Sequence, residues 1–203
     1  MPQRRPERIG VLGGTFDPPH EGHLDAARRA RDILGLDRVL LVVANDPWQK
    51  SPRTPAEDRY AMVEAAVAGM DGVEASRMEI DRGGPSYTVE TVETLINRAR
   101  RADRPAPEIF LVVGEDLVDD LDSWNRVDDL RAMVTLAVVS RPGGPRPPHD
   151  PPGWRVVRVE GGGVNASSSG VRDELERGID VAGEVPAAVI RCIRRRGLYA
   201  VPR

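Results

Sequence analysis

Short apolar runs alternate along this chain with stretches of helical spacing. Residues 8–12, 38–43, 73–78, 108–113, 134–140 and 154–159 read as strands, and the run at 38–43 lacks polar alternation, as a parallel strand covered on both faces does. Between them the apolar positions recur every three or four residues. Leu24, Ala27, Ala30 and Leu34 lie near one stripe of a helix over 22–34, with Gly35 as its expected C-cap. Thr54, Pro55 and Glu57 read as N-cap, N1 and N3 of a helix with a capping box, whose inner face carries Tyr60, Val63 and Val67. Thr88 is the expected cap of a helix reaching about residue 101, with Val92, Leu95, Ile96 and Ala99 inward. Short helical segments follow over 117–130. One more helix is expected over 170–177, and a last one starts near Pro186 and packs Val189, Ile190 and Ile193. This alternation predicts an α/β, Rossmann-like, doubly wound and mainly parallel sheet of about five or six strands with flanking helices. The 203 residues are expected to form a single domain, 1–203, with a small helical C-terminal part from about residue 166.

Composition narrows the setting. The formal charge of −3 comes from 29 basic and 32 acidic residues that are interleaved, so neither nucleic acid nor a membrane is an expected partner. The single cysteine, Cys192, permits no disulfide within the chain and fits a reducing, cytoplasmic location. The opening MPQRRPERIG is basic but has no apolar stretch behind it, so no signal peptide is expected. Residues 141–153 hold six prolines and read as a surface loop.

The chemistry gathers after the strands. In IGVLGGTFDPPHEGHL, residues 9–24, a strand runs into Gly13 and Gly14, where the backbone can turn and a ligand can approach. A helix start then carries His20 and His23, three residues apart and facing one way. Strand, glycines and helix N-terminus make an anion site of backbone N–H groups and helix dipole. Residues 44–50, 114–116 and 140–141 also follow strands, where an open α/β sheet places its ligand. No GK[ST] is present, so the segment is not a Walker A loop, and no GxGxxG points to a nicotinamide oxidoreductase. Zinc on His20, His23 and Asp17 is the competing reading, on a weak HxxH pattern. In the run from Ser167 to Arg172, a serine caps a helix and Arg172 follows near its first turn, which the dipole disfavours unless an anion lies close. An ordinary cap with a solvent-facing Arg is the alternative. Lys50 is the only lysine in the chain.

These motifs resemble a known family. GGTFDPPHEGH is similar to the GTFDPxHxGH motif of the (H/T)xGH nucleotidyltransferase superfamily, and Ser167 to Arg172 to its ISSTxIR motif, with Ala166 and Ser169 departing from it. Residues 81–91, with Glu90 for the usual Asp, resemble the GPSYTxDT segment of bacterial nicotinate-nucleotide adenylyltransferases. Residues 113–118 with Trp124 resemble their GADxL…W segment, with Glu115 for Ala, and Ser140 to Gly143 their SRPG segment.

The resemblance implies transfer of AMP from ATP to nicotinate mononucleotide, giving deamido-NAD and pyrophosphate in NAD biosynthesis. It implies His20, His23, Lys50 and Arg172 as catalytic phosphate ligands. Gly13, Gly14, Thr15, Phe16, Gly114, Asp116, Ser140, Arg141 and Ser168 would bind ATP. Ser86, Tyr87, Thr88, Trp124 and Trp48 would bind the mononucleotide, with Trp124 stacked on its pyridine ring; a core aromatic is the other reading of Trp124. Mg²⁺ is expected with ATP and no metal is expected on the protein itself. The partners are thus small molecules, and a homo-oligomer is left open. The competing functions are another nucleotidyltransferase of the superfamily, with phosphopantetheine or nicotinamide mononucleotide as acceptor, and a nucleotide-binding regulator without turnover. A zinc hydrolase stands further off.

Overall fold

A computed structural model of the protein describes residues 5–48, 51–140, 150–160, 162 and 166–200. Six strands form one sheet: β1 (Arg8–Gly14), β2 (Arg38–Val43), β3 (Val73–Ser76), β4 (Glu108–Gly114), β5 (Val134–Val139) and β6 (Val156–Val159). Their order is β3-β2-β1-β4-β5-β6, and every neighbouring pair is parallel. This is the doubly wound arrangement that the strand–helix alternation predicts, with its switch point between β1 and β4.

The sheet is buried on both faces because its strands are apolar at both odd and even positions. Val39, Leu41 and Val43 of β2 join a core with α1 (Glu21–Leu34), α2 (Ala56–Val67), α6 (Ser168–Glu176) and α7 (Ala187–Arg196). Leu40 and Val42 face a second core under α4 (Thr88–Arg101) and α5 (Val127–Met133), with Met78 of the short α3 (Met78–Arg82). The helical C-terminal part therefore packs on the α1 side. Among the described residues, no helix is long and apolar enough to cross a membrane.

The register makes the crevice. β1 pairs with β2 as far as Gly14 with Val43, and β4 with β5 as far as Gly114 with Val139. Pairing between β1 and β4 stops at Val11 with Leu111. Past that point the two central strands part, and Leu12 to Gly14 and Val112 to Gly114 become the floor of a cleft.

Three local expectations are corrected. The capping box at Thr54 does not form: Pro55 occupies the N-cap of α2, and the Thr54 hydroxyl donates to Asp17 at 2.6 Å instead. With Pro55 itself at the N-cap, Thr54 stands one position too early to cap α2, and its hydroxyl is directed to a buried carboxylate, a strong acceptor. Thr88 is the first residue of α4, whose N-cap is Tyr87. The strand near residue 73 is shorter than expected, and α3 occupies 78–82, where the apolar positions are too few to show a period.

Candidate active site

The cleft at the parted strands encloses about 600 Å³. Its floor is Gly13 and Gly14, but they do not make the turn. Both belong to β1, and neither has a positive φ. A Cβ on Gly13 would stand in open cleft, whereas one on Gly14 would come within 2.9 Å of the Phe16 ring. Gly13 thus leaves space for a ligand and Gly14 leaves space for Phe16. The turn itself falls on Phe16, buried with φ 52, and on the cis bond between Asp17 and Pro18. A bulky residue in the left-handed region is held there only by its surroundings.

His20 is the N-cap of α1 and His23 its N3 residue. The backbone N–H of His20 donates to Nδ1 of His23 at 3.2 Å. The two rings stack at 3.7 Å, and Phe16 meets His23 edge-on at 4.9 Å. Both histidines line the cleft, although His20 is only 4% exposed. The helix end is less open than the motif suggests, because the Glu21 N–H is taken by the Glu184 carbonyl at 2.7 Å. The imidazoles therefore carry much of what this end can offer an anion.

On the same face of the sheet as α1, Ser167 caps α6 by accepting from the Gly170 N–H at 3.1 Å. Ser168 donates to the Pro18 carbonyl at 2.9 Å, and Arg172 donates to the Asp17 carbonyl at 2.7 Å. Arg172 is not a solvent-facing residue; it lines the cleft beside His20 and His23. Ala166 is buried in the place of the family's larger residue, and Ser169 lies 3.3 Å from Ser167 through their hydroxyls.

The other wall is built by the loops after β2 and before α4. Ser86 accepts from the N–H of Asn45 at 2.8 Å, and its own N–H donates to the Asp46 carbonyl at 2.9 Å. Asn45 donates to the Gly84 carbonyl at 2.9 Å. These bonds fix Ser86 and Thr88 at the cleft with Trp48 and Trp124. Trp124 is half-buried and its Nε1 has no hydrogen-bond partner among the described residues, while Trp48 is 48% exposed. Tyr87 packs against the second core beside Trp124 and is not among the cleft-lining residues. Gly114, Asp116 and Ser140 line the floor after β4 and β5. Glu115 between them is buried. Lys50 and Arg141 lie outside the described residues.

The sequence reading missed the supports behind these walls. Asp17, only 2% exposed, accepts on Oδ1 from Thr54 at 2.6 Å and from the Tyr199 hydroxyl at 2.5 Å, and on Oδ2 from the Arg53 N–H at 2.7 Å. Burial works against its charge, but these donors and Arg172 outweigh it and hold the carboxyl below its ordinary value. Arg59, 1% exposed, donates to the carbonyls of Thr54 (3.1 Å), Thr15 (2.8 Å) and Asn45 (3.2 Å). Burial pulls its pKa down, and the charge of Asp17 opposes that. One guanidinium thereby ties three loops together. The signal was present in the sequence: Arg59 lies three, four and seven residues before Met62, Val63 and Ala66, on their apolar face.

Known proteins with this arrangement are numerous. The cytidylyltransferase-like family model matches residues 11–174. A Saccharopolyspora erythraea protein named "probable nicotinate-nucleotide adenylyltransferase" is 40% identical over 201 residues, covering 98% of this chain and 92% of its own. A protein of the same name from Thermus thermophilus is 44% identical over 192 residues, covering 95% and 99%. Among solved structures, Plasmodium falciparum nicotinic acid mononucleotide adenylyltransferase complexed with NaAD superposes with a TM-score of 0.80 at 17% identity, covering 97% of this chain and 98% of that one. That last likeness establishes the fold, and the closer sequences establish descent. The chain belongs to the cytidylyltransferase-like nucleotidyltransferases and, within them, to the nicotinate-nucleotide adenylyltransferase family.

Proposed function

We infer that the protein transfers AMP from ATP to nicotinate mononucleotide, releasing pyrophosphate and forming deamido-NAD. The observation that carries this reading is one cleft with two unlike walls. His20, His23, Ser168 and Arg172 stand on one side and Ser86, Thr88, Trp48 and Trp124 on the other. The first set suits phosphates, and the second suits a planar pyridine with a carboxylate.

The reaction needs no general base. An oxygen of the mononucleotide phosphate, already anionic at neutral pH, forms a bond to the α-phosphorus of ATP. The bond from that phosphorus to the β-phosphate bridging oxygen breaks, and its electron pair leaves with pyrophosphate. Catalysis is then alignment and charge neutralisation. His20 and His23 are assigned to the phosphates and their developing charge, Arg172 and Lys50 to the leaving pyrophosphate. The main chain from Gly13 to Phe16 and the floor at Gly114, Asp116, Ser140 and Arg141 are assigned to ATP. Tyr87 contributes through its backbone beside Ser86 and Thr88, because its ring is packed in the core. Ser168 contributes chiefly by docking α6, since its proton is directed to Pro18.

The metal reading follows from the donor set. Among the described residues no three His, Cys, Asp or Glu side chains gather around a common point. That argues against zinc on His20, His23 and Asp17, and Asp17 is in any case engaged by Thr54, Tyr199 and Arg53. Mg²⁺ is taken to arrive with ATP, held by phosphate oxygens and water. We also take residues 1–203 as a single nucleotidyltransferase domain, a reading supported by α6 and α7 sharing a core with β1 and β2.

The test is pyrophosphate release from ATP with three acceptors in parallel: nicotinate mononucleotide, nicotinamide mononucleotide and phosphopantetheine. Turnover with the first, well above the third, is expected. Turnover with phosphopantetheine alone would move the protein to another branch, and none with any acceptor would favour a regulator.

A further inference from the structure

The last described residues of the chain reach the phosphate grip. Tyr199 lies in a closing 3-10 turn, Leu198–Ala200, more than 180 positions from Asp17, and its hydroxyl donates to Asp17 Oδ1 at 2.5 Å. The residue is 9% exposed, and its backbone holds φ 56 and ψ 28. A tyrosine in the left-handed region is disfavoured, and such strain persists where the packing around it is over-determined.

Asp17 is placed so that its two ends serve different masters. The carboxylate accepts from Thr54, Tyr199 and the Arg53 N–H. The carbonyl of the same residue accepts from Arg172, and the next carbonyl, of Pro18, accepts from Ser168. Arg172 is thus anchored by a neutral carbonyl rather than by a carboxylate in direct contact, and its Nε has no hydrogen-bond partner among the described residues. The orientation of that carbonyl is set by whatever holds the side chain of the same residue. Thr54 and Tyr199 share one oxygen, so loss of either leaves the carboxylate under-held.

We propose that Tyr199 is a positioning residue for adenylyl transfer, holding the Asp17 carboxylate so that the Asp17 carbonyl aims Arg172 at the phosphates. The proposal rests on the functional reading above, in which Arg172 meets pyrophosphate. Tyr199 touches no reacting atom. It makes the closing turn of the chain a part of the catalytic geometry, so a chain with a displaced C-terminal turn keeps its cleft but loses aim.

The test is a double-variant cycle on the full chain. Tyr199→Phe keeps the ring and removes only the donor. Its kcat should fall by about tenfold, with KM for the mononucleotide within about twofold, as expected when an interaction is realised mainly in the transition state. Arg172→Ala alone should be much slower. In the Arg172→Ala background, Tyr199→Phe should cost nothing further, which a merely structural role would not produce. Thr54→Val removes the other hydroxyl from the same oxygen and should give the same non-additive pattern, so the cycle can be completed if Tyr199→Phe does not fold. Wild-type kcat in Tyr199→Phe, or losses that multiply in the double variant, would overturn the proposal. If the wild-type chain releases no pyrophosphate, the functional reading fails by itself. The same cycle is then read on binding of a non-hydrolysable ATP analogue by calorimetry, where the same pattern supports Tyr199 and multiplying losses overturn it.

Discussion

The backbone N–H of His20 donates to Nδ1 of His23. An imidazole nitrogen that accepts has no proton, so the proton of His23 sits on Nε2 and His23 enters the cleft as a neutral donor. The same contact ties down the start of α1. His23→Ala therefore should do two separable things. It should lower kcat by about 10²–10³, the loss typical of a donor to developing charge, and lower stability by about 1 kcal/mol, the cost of a lost cap. His23→Asn can return an acceptor to the His20 N–H but offers no equivalent of Nε2. It should recover the denaturation midpoint without recovering turnover. Equal recovery of both would show that His23 acts only as a cap.

Among the described residues Arg59 has no ion-pair partner in direct contact; three carbonyls hold it, with Asp17 as an opposite charge nearby. Arg59→Met leaves the carbonyls of Thr15, Asn45 and Thr54 without their donor, and urea unfolding should show a loss of several kcal/mol, at about 1–3 kcal/mol for each buried acceptor left unpaired. Arg59→Lys keeps the charge but not the planar fork that reaches three loops at once, and should be intermediate. A midpoint unchanged in both variants would mean that the loops at Thr15, Asn45 and Thr54 hold each other without it.

Trp124 stands at the cleft with its indole nitrogen unbonded among the described residues and buried, so what it offers a ligand is its ring face. Trp124→Ala should raise KM for nicotinate mononucleotide by about tenfold, and Trp124→Phe by only about two- to threefold, since a smaller ring still stacks. KM for ATP should stay put in both. A parallel rise for ATP would place Trp124 in the general packing of the cleft instead.

The strands were legible because both faces of the sheet are covered. That leaves uninterrupted apolar runs, and the six expected strands all appear with ends within a few residues. The phosphate motif was legible because it is local, carried by neighbouring residues between His20 and His23. What holds it was not. Asp17 meets Tyr199 across 182 positions and Arg172 across 155, and no periodicity relates such distant partners. Thr54 shows the same limit from the other side: its local pattern announced a helix cap, and a buried carboxylate took its hydroxyl instead. Gly13 and Gly14 were expected to turn the chain, yet the turn is at Phe16, because the ring that packs over Gly14 needs that backbone to fold under it.

The buried contact between Asp17 and Tyr199 should leave opposite marks on the two limbs of the stability–pH curve. Burial opposes the Asp17 charge, but Thr54, Tyr199, the Arg53 N–H and Arg172 win, so its folded pKa lies below the ordinary carboxylate value. Its contribution is then present above about pH 3.9 and is lost as pH falls from there toward the depressed folded value, because the unfolded chain binds the proton first. Tyr199 is shifted the other way: burial, then its bond to Asp17, raises the phenol above its ordinary value. Its contribution is present below about pH 10 and is lost as pH climbs from there through the raised folded value, because the unfolded chain releases the proton first. Urea midpoints measured from acid to alkaline pH for the wild type, Asp17→Asn and Tyr199→Phe separate the two limbs. The difference between wild type and Asp17→Asn should shrink toward low pH, and that between wild type and Tyr199→Phe should shrink toward high pH. Differences that stay constant across the range would mean that neither group changes its proton affinity on folding.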